Sequence, residues 1–199
     1  MTGSSMESPI GIVVPPGFVR ISLAHEPGRV LEALVRQAAE RAPEDRRSMV
    51  ATFVRKQLRD AVTSARAQKA SDLILSTELV EGLPVPGSLV ISRVQMPASE
   101  PRGARELLIS WIAKGGRPID LDGVAGVRRV RDVAATEERP GYRQVAYLAH
   151  LDWEEQWLLI SCSILRIDDA EYAQTLAALE TLFDAIVQTV SIERTEASA

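Results

Sequence analysis

The sequence predicts an α+β domain, an antiparallel β-sheet flanked by helices in an α/β/α sandwich. Two observations carry this. Strand-like runs in the second half of the chain are joined by short, turn-rich links, which pair strands antiparallel. Four other segments place apolar residues at helical spacing, and each such stripe needs a layer to cover.

In chain order, Ile10 to Val14 is a short apolar run closed by Pro15-Pro16-Gly17, a turn of fixed φ followed by a permissive residue. Phe18 to Leu23 reads as a strand. Pro27 suits the first turn of a helix, whose stripe is Val30, Leu31, Leu34, Val35, Ala38 and Ala42. Pro43 interrupts, and a second helix runs from Glu44 to about Lys69. Its stripe of Val50, Val54, Leu58, Ala61, Val62 and Ala65 predicts a helix lying on a core. Strands follow at Leu73 to Val80 and Ser88 to Met96, linked through a Pro- and Gly-rich segment.

Ser99 and Pro101 are placed to open a third helix, with Ala104, Leu107, Leu108, Trp111 and Ile112 as its stripe. Gly115-Gly116 ends it as a C-terminal cap. Four strands are then expected at Arg117 to Leu121, Val124 to Val133, Arg143 to Leu151 and Gln156 to Arg166. The last two form a hairpin across Asp152 to Glu155. Asp168 and Glu171 have the spacing of a capping box. They open a final helix with Tyr172, Leu176, Leu179, Phe183, Ile186 and Val190 on one stripe. Residues 1–8 are expected to be a disordered leader, 9–192 a single domain, and 193–199 a disordered tail.

The chain has 199 residues, 46% hydrophobic and 25% charged, with a formal net charge of −4. That balance belongs to an ordinary globular domain and argues against a general nucleic-acid binder, which needs a strongly positive surface. No window is long and apolar enough to span a membrane, so no membrane partner is expected. The single cysteine, Cys162, precludes an intramolecular disulfide, and with a polar start to the chain the expected address is cytoplasmic.

Several features together resemble the PsbP-like α/β/α sandwich. They are Pro15-Pro16-Gly17-Phe18, Asp122-Gly123 with Gly126-Val127-Arg128, the strand ending near Ser161-Cys162-Ser163, and Phe183-Asp184-Ala185-Ile186. This is the fold of a photosystem II accessory protein and of a nuclear-transport Ran-release factor. The chain is also similar to a group of actinobacterial cytoplasmic proteins. The resemblance implies protein binding without a shared catalytic set.

The residues are read in the same direction. Cys162 alternates with Leu158, Ile160 and Ile164, which predicts a buried, inert thiol. His25 and His150 have no second ligand at metal spacing. Cys162 and His150 are both even-numbered on paired strands, so a nucleophile–base contact across the hairpin is considered. Acid pairs Glu137-Glu138, Glu154-Glu155 and Asp168-Asp169 are assigned to loop solvation and capping. No catalytic residue, metal or cofactor is expected.

Charge is lopsided. The segment Glu44 to Lys69 has seven basic and three acidic residues, against two basic and ten acidic from Asp152 to Ala199. The plain explanation is a solvated face, or attraction between basic helix and acidic C-terminus. The sharper one is a docking surface. Arg55, Arg59 and Arg66 fall within about 40° on the helix, and Trp153 sits at a hairpin turn as a second anchor.

The function expected is a non-enzymatic protein-binding module: an adaptor, a secretion chaperone or an immunity-type protein. The alternative is a small-molecule-binding protein or an enzyme with a cleft between sheet and helices, where His150, Tyr147 and Arg128 are the polar strand residues to watch. Homo-oligomerisation through a sheet edge or helix is a further possibility.

Overall fold

Apolar and β-branched runs such as Leu158–Ile164 set the sheet, and turn residues set its corners. The computed structural model describes residues 10–77, 79–80, 83–84, 87–95, 103–137, 140–151, 156–166 and 172–193. The proposed leader, the tail beyond 193, Ser99, Pro101, Asp168 and Glu171 lie outside these. So do Trp153 and the acid pairs other than Glu137.

Strands β1 (Ile10–Gly11) and β2 (Phe18–Ser22) flank the Pro-Pro-Gly turn, where Gly17 takes φ 82° and the Phe18 N–H bonds the Pro15 carbonyl at 3.2 Å. Helix α1 (Gly28–Arg41) starts after Pro27. A 3₁₀ turn at Glu44–Arg46 leads into α2 (Arg47–Ala67). Next come β3 (Ala70–Ser76), a small hairpin of β4 (Leu79–Val80) and β5 (Leu83–Pro84), and β6 (Gly87–Gln95). The strand expected from Leu73 to Val80 is thus two, broken after Ser76. Helix α3 (Ala104–Ala113) precedes β7 (Arg117–Leu121), β8 (Val124–Val133), β9 (Tyr142–Leu151) and β10 (Gln156–Leu165). Helix α4 (Tyr172–Gln188) and β11 (Ser191–Ile192) close the chain.

Seven strands form one sheet in the order β2-β3-β6-β10-β9-β8-β7, with every neighbouring pair antiparallel. Strands β1 and β11 pair separately, Ile10 opposite Ile192. The architecture is α+β, an antiparallel sheet with helices on its faces. No helix among the described residues is long and apolar enough to cross a membrane.

The two faces of the sheet are finished differently. On one, Leu89, Ile91, Val145, Ala149, Leu158, Ile160, Cys162 and Ile164 are completely buried beneath Leu179, Phe183, Ile186 and Val187 of α4. The apolar stripe read for the last helix is the one that packs. Phe183 also meets Phe18 edge-on at 6.1 Å. On the other face, Val62 and Ala65 of α2 pack with Ile21, Leu23 and Leu73 over the β2–β3 edge.

Helix α3 lies over β8. Its Trp111 ring sits 5.1 Å from the Arg129 guanidinium carbon, a cation–π contact rather than core burial. The Gly115-Gly116 cap forms as expected, with Gly115 at φ 87° and the Gly116 N–H on the Trp111 carbonyl at 3.0 Å. Gly116 is required there: a Cβ would sit 2.5 Å from a Val127 methyl carbon.

Candidate functional site

Strand β10 is central, so both of its faces should be covered. Its side chains alternate as Leu158, Ile160, Cys162 and Ile164 toward α4, and Leu159, Ser161, Ser163 and Leu165 away from it. The first set is fully buried, whereas Leu159, Ser163 and Leu165 are only half-buried, as are Ser88 and Val90 on β6. The sheet is closed on one face and open in part on the other, where Ser161, Trp157, Leu148 and Ser92 are buried.

Helix α2 creates the opening. Its apolar stripe predicts a helix lying on a core. The structure corrects this: only Val62 and Ala65, in its last third, are buried. Val50, Val54 and Leu58 are half-buried, and Phe53 is 62% exposed. The amino-terminal part of α2 stands off the sheet and bounds a groove of about 1040 Å³. The helical wall carries Val50, Phe53, Val54, Leu58 and Ala61 with Gln57 and Ser64 between them. The sheet wall mixes Ser88, Ser161, Ser163 and Gln144 with Leu73, Leu75, Val90 and Leu165. The Gln144 amide donates to Ser161 Oγ at 2.7 Å. Arg41, from the end of α1, is the one charged residue of the lining among the described residues, and its guanidinium donates to the Thr77 carbonyl at 2.8 Å. A cleft between sheet and helices therefore exists, and the expectation that the stripes close over the sheet fails on this face.

The arginines singled out in α2 project away from this groove. Arg55 grips Glu32 of α1 through two hydrogen bonds of 2.9 Å. That bond holds the Glu32 carboxyl below its ordinary range. Arg66 donates to Glu26 at 2.9 Å and to the His25 carbonyl at 3.3 Å. Arg59 is exposed and lines a shallow basic hollow with Thr52, Arg55, Lys56 and Asp60. Among the described residues, Arg55 and Arg66 of the basic helix thus meet acids of α1 and its lead-in.

Two of the C-terminal acids, Glu180 and Asp184, face the sheet. Arg128 on β8, 6% exposed, donates from Nε to Asp184 Oδ1 at 2.7 Å and from Nη2 to Asp184 Oδ2 at 2.9 Å and Glu180 Oε1 at 2.6 Å. The Tyr147 hydroxyl donates to the same Asp184. Arg143 bridges Glu180 at 3.4 Å and Asp132 at 2.9 Å, which holds the Asp132 carboxyl below its usual range. Burial works against the Arg128 charge, yet its bonds to Asp184 and Glu180 outweigh that and raise its pKa. Burial also pushes up the Tyr147 phenol, with Cys162 and Asp184 adding. This cluster ties α4 to the sheet.

The watched polar residues separate accordingly. Tyr147 and Arg128 meet on Asp184 in a filled layer. His150 lies on the opposite face, its ring 4.7 Å from that of Trp157. Cys162 and His150 do not meet. Each β9–β10 pair joins an even-numbered to an odd-numbered residue, Cys162 to Val145 and Trp157 to His150, so equal parity means opposite faces. Burial drives the Cys162 thiol well above its ordinary range, which keeps it protonated. Glu180 and Asp184 were missed as partners of Arg128. Their signal was in the sequence: on α4 they project about 40° apart, flanking the apolar stripe.

No protein-family model matches the chain, and no curated protein matches it. Among solved structures it is similar to a point variant of the protein Mog1, with 13% identity and a TM-score of 0.46 over 96% of this chain and 94% of that one. It is similar to the Saccharomyces cerevisiae Ran-binding protein Mog1p, with 12% identity and a TM-score of 0.45 over 92% and 90%. A Bacteroides thetaiotaomicron protein shares 11% identity at a TM-score of 0.35, over 62% of this chain and 38% of its own.

Proposed function

We propose that the chain is a non-catalytic binding module that holds a segment of another protein in the groove between α2 and the sheet. One observation carries this reading: part of one face of the central strands stays open beneath Val50, Phe53, Val54 and Leu58 of α2, and nothing among the described residues fills that groove. Exposed apolar surface of this kind marks a place where something else is buried. The arginine face of Arg55, Arg59 and Arg66 is the second contact surface in this proposal, with Arg59 its most available member. The compartment that suits one reduced cysteine is the cytoplasm.

A photoreactive side chain at position 53, on the groove wall, tests the assignment. The cross-linked peptide is sequenced, its parent protein purified, and binding measured by calorimetry. Phe53→Glu is expected to weaken binding by at least about tenfold, and charge reversal at Arg59 by less. Loss confined to the arginine variants would move the site to the outer face of α2. The groove volume also falls near the range of small-molecule pockets, so a cross-link to a small molecule alone would replace the protein reading with a carrier.

A further inference from the structure

We propose that Arg131, which lies outside the groove lining, fixes the hydrogen-bond polarity of the groove floor at Ser161, and that the bound segment meets Ser161 with a carbonyl oxygen. The occupant rests on the segment-binding reading above; the polarity is a property of this chain alone.

The relay crosses three strands. Arg131 of β8 is paired directly with Gln144 of β9, and Ser161 of β10 lies diagonally beyond it on the same face. Arg131 Nε donates to Gln144 Oε1, and Gln144 Nε2 donates to Ser161 Oγ at 2.7 Å. A guanidinium has only N–H groups to offer, so the Gln144 carbonyl must turn toward Arg131. The amide NH2 then turns toward Ser161, and the serine oxygen accepts. The Ser161 hydroxyl hydrogen is left to seek an acceptor elsewhere.

Among the described residues none supplies that acceptor. Ser161 is 8% exposed and lines the groove. Water can serve its hydrogen while the groove stands open. An occupant that expels the water must bring an acceptor or leave a buried donor unpaired, which is costly. A carbonyl oxygen meets that need, whereas an N–H placed there leaves the serine hydrogen unmet. Arg131 is exposed and does not line the groove, so it is a positioning residue that acts through Gln144. Charge reversal should invert the floor. A carboxylate at position 131 only accepts, which turns the Gln144 NH2 toward it and the Gln144 carbonyl toward Ser161. The serine hydrogen is then used within the protein, and the groove meets lone pairs in place of a donor.

The test compares the full chain with Arg131→Glu and Arg131→Lys, each isotope-labelled for NMR. In the wild type, the Gln144 side-chain amide protons should show NOEs to the Ser161 β-protons. In Arg131→Glu these NOEs should pass to the side chain at position 131. Two neutral probes, on which the charge at 131 has little direct pull, are then titrated and followed at the Gln144 and Ser163 signals. Acetophenone offers an acceptor and indole a donor. Arg131→Glu should lower the ratio of acetophenone to indole affinity by about fivefold. Arg131→Lys, again a donor without an acceptor, should keep the wild-type ratio. An unchanged ratio in Arg131→Glu, or wild-type NOEs from the Gln144 amide to Arg131 in place of Ser161, would overturn the polarity and leave the segment reading standing. If neither probe moves either signal, the floor cannot be reached, and this proposal and the segment reading fall together.

Discussion

Removing the Arg128 guanidinium is the most informative single perturbation of the fold. Its side chain is 7% exposed, and it is the shared partner of Asp184, Glu180 and, through Asp184, Tyr147. Arg128→Met keeps much of the volume and deletes the charge, leaving two carboxylates that are 30% and 22% exposed without their cation. Breaking a buried pair on one side costs ~3–5 kcal/mol. Water reaches both acids here, and Arg143 still touches Glu180 at 3.4 Å, so about 2–3 kcal/mol is expected. For a domain of this size that lowers Tm by about 4–12 °C. Urea unfolding of the wild type, Arg128→Met, Asp184→Asn and the double variant gives the coupling energy. The double variant should be less damaged than the two single losses summed, by about 1.5 kcal/mol or more. A single-variant loss below about 0.5 kcal/mol, with no coupling, would refute the idea that this cluster fastens α4 to the sheet.

Other expectations follow from the same geometry. The Cys162 thiol and Tyr147 phenol both have raised folded pKa values. The folded state therefore keeps its protons where the unfolded chain loses them, and their contribution is full below the unfolded values and lost as pH rises. Stability should fall from about pH 9 upward, by about 1.4 kcal/mol per pH unit for each group. Cys162→Ala should remove the part that begins near pH 9, and Tyr147→Phe the part that begins near pH 10; a flat profile to pH 11 in urea melts would contradict this. Gly116→Ala should cost about 1–3 kcal/mol, because its Cβ would press on Val127 and on the Trp111 carbonyl. Unchanged stability there would mean that α3 does not lie as closely on β8 as described.

The sequence made the α4 face legible and the opposite face only in part. On α4, spacing of three and four from Leu176 to Ile186 had one interpretation, and the matching strand positions Leu158, Ile160, Cys162 and Ile164 were uniformly apolar. The α2 stripe was just as regular, yet periodicity reports which side of a helix is apolar, not how far along its length a partner layer extends. The better signal was on the strand. Ser161 and Ser163 in a central strand, alternating with fully apolar neighbours, marked the less covered face, where Ser163 is half-buried. The Cys162–His150 contact failed for another reason. Parity cannot be judged without the hairpin register, which depends on a turn the residue pattern did not fix. The Arg128 partners required tertiary placement of α4, although the i, i+4 spacing of Glu180 and Asp184 offered the hint.

One experiment addresses the open face directly, by comparing two adjacent positions on β10. A thiol at 162 points into the layer under α4 and a thiol at 163 points into the groove. With Ser163→Cys in the otherwise native chain, a small maleimide should modify position 163 within minutes and leave Cys162 untouched until the protein unfolds. Equal protection of both positions would mean that the groove is closed, and the binding function assigned to it would fall.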